Sequence, residues 1–209
     1  MRSHGADQLS LRADHERVTV LDAVDERARG TPRADFTTAH ELGHHLLHPQ
    51  ADHFKQCEGE ERSNGAFVIE REASAFSTEL LMHAPFAAPL CTAARPTLDD
   101  VDKLARVFRT SFQSSGIRYV ELAQTPCAFV LALHGRIKWA PETAAFPGKI
   151  VKGRQLHARS IAAKLMGRRA GADPGPREVP GEAWGGEAPF MEHALVLGPA
   201  VLSWIIPAS

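Results

Sequence analysis

Cysteine is scarce in this chain of 209 residues: Cys57, Cys91 and Cys127 are odd in number, far apart and without a C-x-x-C pair. That suggests neither a disulfide framework nor a cysteine-built zinc site, and it fits a reducing cytoplasm. Long apolar runs are missing too; none reaches the roughly 20 residues a membrane-spanning helix requires. The first thirty residues carry Arg2, Asp7, Arg12, Asp14, Glu16 and Arg17 with no apolar core segment, which excludes a usual secretory signal. A soluble, cytoplasmic protein with no membrane partner is therefore expected. There is no excess of either charge, the formal net value being −1. Broad phosphate binding uses a clustered basic surface, so no direct nucleic-acid partner is expected. What the chain does have is 44% hydrophobic residues, enough for a proper core in one domain or two small ones.

One stretch states a chemistry. His40-Glu41-Leu42-Gly43-His44 matches H-E-x-x-H inside a segment that reads as helix, with Thr or Asp ahead of it as an N-cap and Pro49 just beyond its end. Phe36, Ala39, Leu42 and Leu46 recur at helical spacing and can bury one side. Histidines four apart lie one turn apart on one face, so both imidazoles can reach a single ion while Glu41 stays free to act on a water. The plainer reading, an amphipathic helix with solvated histidines, leaves that constellation unexplained.

A catalytic zinc site takes three protein ligands and keeps a position open. The longer metzincin pattern requires Gly at position 47 and His at position 50, where this chain has Leu47 and Gln50. A carboxylate on a second helix is the remaining source, and Ile69 to Met82 reads as that helix. Glu72 and Glu79 lie seven apart on nearly one face, whereas Glu70 is turned from Glu72 by roughly 200°. Spacing alone leaves Glu72 and Glu79 both open.

The two segments Asp35–Pro49 and Arg71–Met82 together resemble the ImmA/IrrE family of bacterial metallopeptidases, and Leu104–Ser111 resembles that family's third characteristic stretch. The resemblance covers about residues 33 to 123. It implies His40, His44 and Glu72 as ligands of Zn2+, Glu41 as general base, and a protein substrate, a helix-turn-helix transcriptional repressor cut at a specific site. The main alternative is a non-catalytic zinc-containing module that docks a regulator. Retention of Glu41 argues against it, because a purely structural zinc site needs a fourth ligand and no base.

The rest of the chain sets the expected architecture, which is α+β. A zincin-like helical core with a small N-terminal sheet edge at Arg17–Leu21 occupies residues 1–123, and a smaller mixed region occupies residues 124–209, a reduced sensor-like or interaction module. Asp52 to Gly65 reads as an exposed loop. Residues Thr97 to Leu122 read as two helices around Arg109-Thr110-Ser111; a helix-turn-helix there would offer Gln113, Ser114, Ser115 and Arg118 to bases, but packing against the zinc domain is the expected job. His45, His48 and Tyr119 are expected in packing or partly wet positions. Beyond Ala123, strands are expected at Cys127–Leu133 and Arg136–Ala140 and a helix at Gln155–Met166. A Gly/Pro-rich linker over Gly167–Pro189 and a terminal hairpin of Met191–Leu197 and Ala200–Ile206 complete the reading.

Overall fold

The computed structural model describes residues 9–13, 16–20, 30–49, 60–166, 171–172 and 175–209, with side chains described over 30–49, 67–166 and 175–209. Its chain is α+β and divides into two compact units, residues 1–83 with 108–111, and residues 84–107 with 112–209. Among the described residues no helix is long and apolar enough to cross a membrane.

The first unit opens with a two-stranded antiparallel hairpin, β1 (Leu9–Ala13) and β2 (Glu16–Val20). Helix α1 (Pro32–Leu47) starts earlier than the sequence suggests, at an N-cap Thr31 whose Oγ1 accepts the Ala34 amide at 3.3 Å. Pro32 sits in the first turn, where its missing N–H costs nothing. His48 caps the other end, donating its amide to the His44 carbonyl at 2.9 Å. Helix α2 runs from Glu60 to Leu81, so residues 60–65, expected as loop, are helical; residues 52–59, with Cys57, lie outside the described residues. The Asn64-Gly65 pair is a turn signal worth only about 1 kcal/mol of helix propensity, and a helix with a packed partner overrides it. The two helices meet closely at one glycine: a Cβ on Gly43 would lie 3.1 Å from Ala73 Cα and 3.2 Å from Ala73 O.

The second unit is built on a six-stranded antiparallel sheet in the order β4 (Arg136–Trp139), β3 (Ala128–Leu133), β8 (Ala200–Pro207), β7 (Phe190–Leu197) and β5 (Gly171–Ala172), with β6 (Arg177–Val179) also paired to β7. The terminal hairpin is as expected, turning at Gly198 (φ 60). The expected linker is not one: β5 and β6 within 171–179 join the sheet, and Gly181–Ala183 forms a short 3-10 turn. Strands of two or three residues leave no periodicity to read.

One sheet face carries Val130, Ile137, Val196, Val201 and Ile205, packed with Phe146, Trp184, Ile161 and Leu165. The expected helix over 155–166 shrinks to α6 (Ile161–Leu165), N-capped by Ser160, because Glu192 takes the first two amides: Ile161 N donates to Oε2 at 2.8 Å and Ala162 N to Oε1 at 2.7 Å. Trp184 Nε1 and Ser203 Oγ complete the set at 3.0 Å each. Glu192 has no exposed surface, and burial pushes its carboxyl pKa up while the four hydrogen bonds pull it back.

The other face carries Phe129 and Trp204 beneath α5 (Phe112–Leu122). Tyr119 stacks edge-on against Trp204 at 5.1 Å, and Gly116 lies where any Cβ would strike the Phe129 ring. After the single turn α3 (Ala84–Ala87), helix α4 (Leu98–Phe108) is tied to the same unit by the Leu98 amide, which donates to His193 Nδ1 at 3.4 Å. This corrects two expectations. Residues 84–107 and 112–122 group with the sheet and not with the residues before them, and α5 packs on the sheet's aromatic side through Phe112 against Phe129. Ser115 and Arg118, two of the four side chains a helix-turn-helix would offer to bases, are buried. Cys91 and Cys127 are buried free thiols whose pKa values burial pushes up to about 11 and about 12.

Candidate metal centre

Four residues separate His40 from His44, and α1 stacks their rings edge to face with centroids 4.6 Å apart. Their Nε2 atoms converge to 3.0 Å. A carboxylate from α2 closes the triangle: Glu70 Oε2 lies 3.1 Å from His40 Nε2 and Oε1 lies 3.4 Å from His44 Nε2. The carboxylate grouped with the two rings is Glu70, where the resemblance implies Glu72. Glu72 lies beside His48, its Oε2 3.3 Å from a His48 Nε2 that is not aligned for a hydrogen bond. Glu79, the other candidate from spacing, pairs with His83 Nδ1 at 2.6 Å.

The reason lies in how the helices meet. Gly43 seats α1 directly on Ala73, so the face of α2 turned toward α1 runs through Ala73 and Ser77, both buried. Residues three or four positions away from these share that face. Glu70 is three before Ala73 and four before Ser74, whereas Glu72 is rotated from Ala73 by about 100°. Ser74, which spacing alone gave no reason to single out, puts its Oγ 3.4 Å from His40 Nδ1. With Nδ1–H donating to that oxygen, the Nε2 lone pair is turned toward the other donors.

Donor atoms bound to one tetrahedral zinc at ~2.0–2.1 Å sit about 3.3 Å from one another. The two nitrogens are 3.0 Å apart, and each has one of the two Glu70 oxygens near that distance, at 3.1 and 3.4 Å, with one donor atom from each residue lying within 4.8 Å of the others. Two imidazole nitrogens and a carboxylate oxygen are also a donor set zinc accepts. The residues therefore fit the ion. His40 and His44 retain 19% and 22% side-chain exposure and Glu70 63%, so water has access. Glu41 is exposed on the helix turn between the two histidines, and His45 is half-buried. Tyr119 packs in the second unit's aromatic face.

A carboxylate and two helical histidines grouped in H-E-x-x-H define a metallopeptidase-like class of site. Residues 23–119 match the IrrE N-terminal-like domain of the peptidase M78 family. That segment, a little under half of the chain, is the part that carries the ImmA/IrrE-type domain. No curated protein sequence matches it at a significant level. Among solved structures it is similar to a Mycobacterium tuberculosis transcriptional regulator, with 16% identity and a TM-score of 0.50 over 84% of this chain. The chain spans 56% of that regulator's length, and the likeness is one of fold.

Proposed function

We propose that this protein is a zinc-dependent endopeptidase of zincin-like design, acting in the cytoplasm on a helix-turn-helix transcriptional repressor. His40, His44 and Glu70 hold the ion, and Glu41 is the general base. The observation that carries the reading is the convergence of His40, His44 and Glu70 from two helices, one donor atom of each lying within 4.8 Å of the others. The domain match supports the peptidase class, and the similarity to a transcriptional regulator's fold is in keeping with a regulatory setting.

Zinc, when bound, supplies Lewis-acid polarisation of the scissile carbonyl and lowers the pKa of water in its shell toward ~7. The protein's own contribution is positional. Ser74 holds the His40 ring so that Nε2 faces the site. Glu41, on the same helix and fixed by its backbone, accepts a proton from the attacking water at a carboxylate oxygen and returns it to the leaving amide nitrogen. Its exposure lets it reach water without displacing a packed neighbour.

Zinc analysis of the purified protein, run beside cleavage of a repressor encoded next to it, tests the reading. Glu41→Gln is expected to retain about one zinc per chain while cleavage falls by roughly 10²–10⁴-fold. Wild-type turnover in that variant removes Glu41 from the mechanism. Bound zinc with no cleavage by either form favours the alternative, a module that docks the regulator without cutting it.

A further inference from the structure

The near-zero net charge conceals a segment of one sign. Between residues 134 and 169 the sequence has nine Lys or Arg and a single acid, Glu142. In the fold most of these are gathered at one edge of the second unit's sheet. The turn 151–154, closed by the Arg154 amide donating to the Val151 carbonyl at 3.2 Å, uses Gly153 at φ 84 and leaves Lys152 near its tip. That turn is laced to strand β4: Ile137 N donates to Arg154 O at 2.9 Å and Gly153 N to Ile137 O at 2.8 Å. Arg136 adds a side-chain bond, Nη1 to Gly153 O at 3.3 Å.

The result is a ledge formed by β4 and the turn laced to it, on which Arg136, Lys138, Lys152 and Arg154 are exposed; Lys149, whose amide donates to Gly185 O at 3.2 Å, is exposed two residues before the turn. On the other side of β4, a shift of register at Leu131/Ala132 leaves Lys138 as the extra residue of a bulge in the pairing with β3. Among the described residues none of the five pairs with a carboxylate. Glu142 bridges Ala128, at the opposite end of β3 from Arg136's partner Leu133. Glu182 is taken by Arg159 at 2.8 Å.

We infer that this ledge binds the sugar-phosphate backbone of nucleic acid without reading its sequence. Five exposed cations on and beside this edge, none of them paired with a carboxylate among the described residues, suit a polymer of regularly repeated charge. A single phosphorylated side chain is held instead by a converging arginine cluster, which these residues do not form. The inference is independent of the peptidase reading, since it uses no residue of the first unit.

The test is binding of the whole protein to a 30-base-pair duplex and a 30-nucleotide single strand of arbitrary sequence, by fluorescence anisotropy across a salt series. If all five cations meet phosphates of duplex DNA, the slope of log K against log salt is about −4 to −5. The double variant Lys138→Glu, Lys152→Glu is expected to weaken binding by about tenfold or more and to flatten the slope by about 2. A control of equal charge change away from the ledge, Arg33→Glu with Lys103→Glu, is expected to keep the slope. The two strands' relative affinities show which form of the polyanion is preferred. No binding to either strand at 50 mM salt overturns the inference. So does equal loss in the control, or polyglutamate competing as well as DNA at equal charge, which would assign the ledge to an acidic protein.

Discussion

Glu70 and Glu192 are both carboxylates held by groups brought from elsewhere in the chain, and they sit in opposite circumstances. Glu192 has no exposed surface, and its oxygens face only groups able to donate: two helix amides, an indole N–H and a hydroxyl. Glu70 is 63% exposed and faces two imidazole nitrogens, each of which offers a lone pair in its Nδ1-protonated tautomer. A carboxylate whose capacity is filled by the fold has nothing left to offer a ligand; it joins α6 to β7 and β8. One that converges with other electron-pair donors in reach of water is half of a binding site. The second unit thus spends its buried carboxylate on architecture, and the first leaves one exposed beside two imidazoles, where the proposed ion would sit.

The sharpest way to break that contrast is to remove each carboxylate in turn. Glu192→Ala strands four buried donors, and urea unfolding is expected to show a loss of about 3–5 kcal/mol. The pH dependence follows the same carboxyl. Because burial raises its pKa above the ordinary 4.5, the stability it contributes is complete below that value and is lost as pH rises through the raised one. Unfolding curves that barely move in Glu192→Ala would show that the four contacts are incidental.

At Glu70 the expected loss is in metal, not in the fold. Glu70→Ala is expected to weaken zinc binding by more than the roughly 100-fold that outer-shell losses reach, while Glu72→Ala stays near wild type in competition with a chromophoric chelator. The opposite ranking would mean that the resemblance names the ligand correctly and that α2 is rotated by about 200° from the arrangement described.

That pair of variants also marks where the sequence stops being informative. H-E-x-x-H, its helix and the terminal hairpin are legible because each is a local pattern, a spacing of four or an alternation of two. The choice between Glu70 and Glu72 is not local. It depends on which side of α2 meets Gly43, and a wheel drawn for α2 alone has no origin. Helix α6 is short for a similar reason, since its first amides are taken by a carboxylate some thirty residues further on. The basic edge at residues 136–154 was lost by averaging: a net charge for the whole chain cancels it against acids placed elsewhere.

A smaller effect is expected where the two helices touch. Gly43→Ala gains up to about 1 kcal/mol of helix propensity, but its Cβ would sit 3.1 Å from Ala73 Cα and from Phe76 Cδ1. Phe76 can turn aside; a backbone atom of α2 cannot move without its helix. The gain and the clash are expected to leave stability within about 1 kcal/mol of wild type, while zinc affinity falls roughly tenfold because α2 carries Glu70. Unchanged affinity in Gly43→Ala would mean that the helix contact does not set the ligand spacing.

The smallest change tests whether the first unit's polar groups act through one another as those around Glu192 do. Ser74 touches His40 at 3.4 Å, the long end of a hydrogen bond, so its hold on the ring is weak. Ser74→Ala removes an oxygen and leaves the half-buried helix face intact, so stability is expected to stay within about 0.5 kcal/mol. Zinc affinity is expected to drop toward the lower limit for an outer-shell loss, about tenfold, with Ser74→Thr restoring part of it. A ring freed in this way also changes tautomer more readily, which ¹⁵N chemical shifts of the His40 imidazole report directly: wild type is expected to show Nδ1 protonated, and Ser74→Ala a mixture. If the spectra coincide, His40 is oriented by its own helix and by Phe36, whose ring stacks on it at 6.3 Å, and the hydroxyl is a bystander.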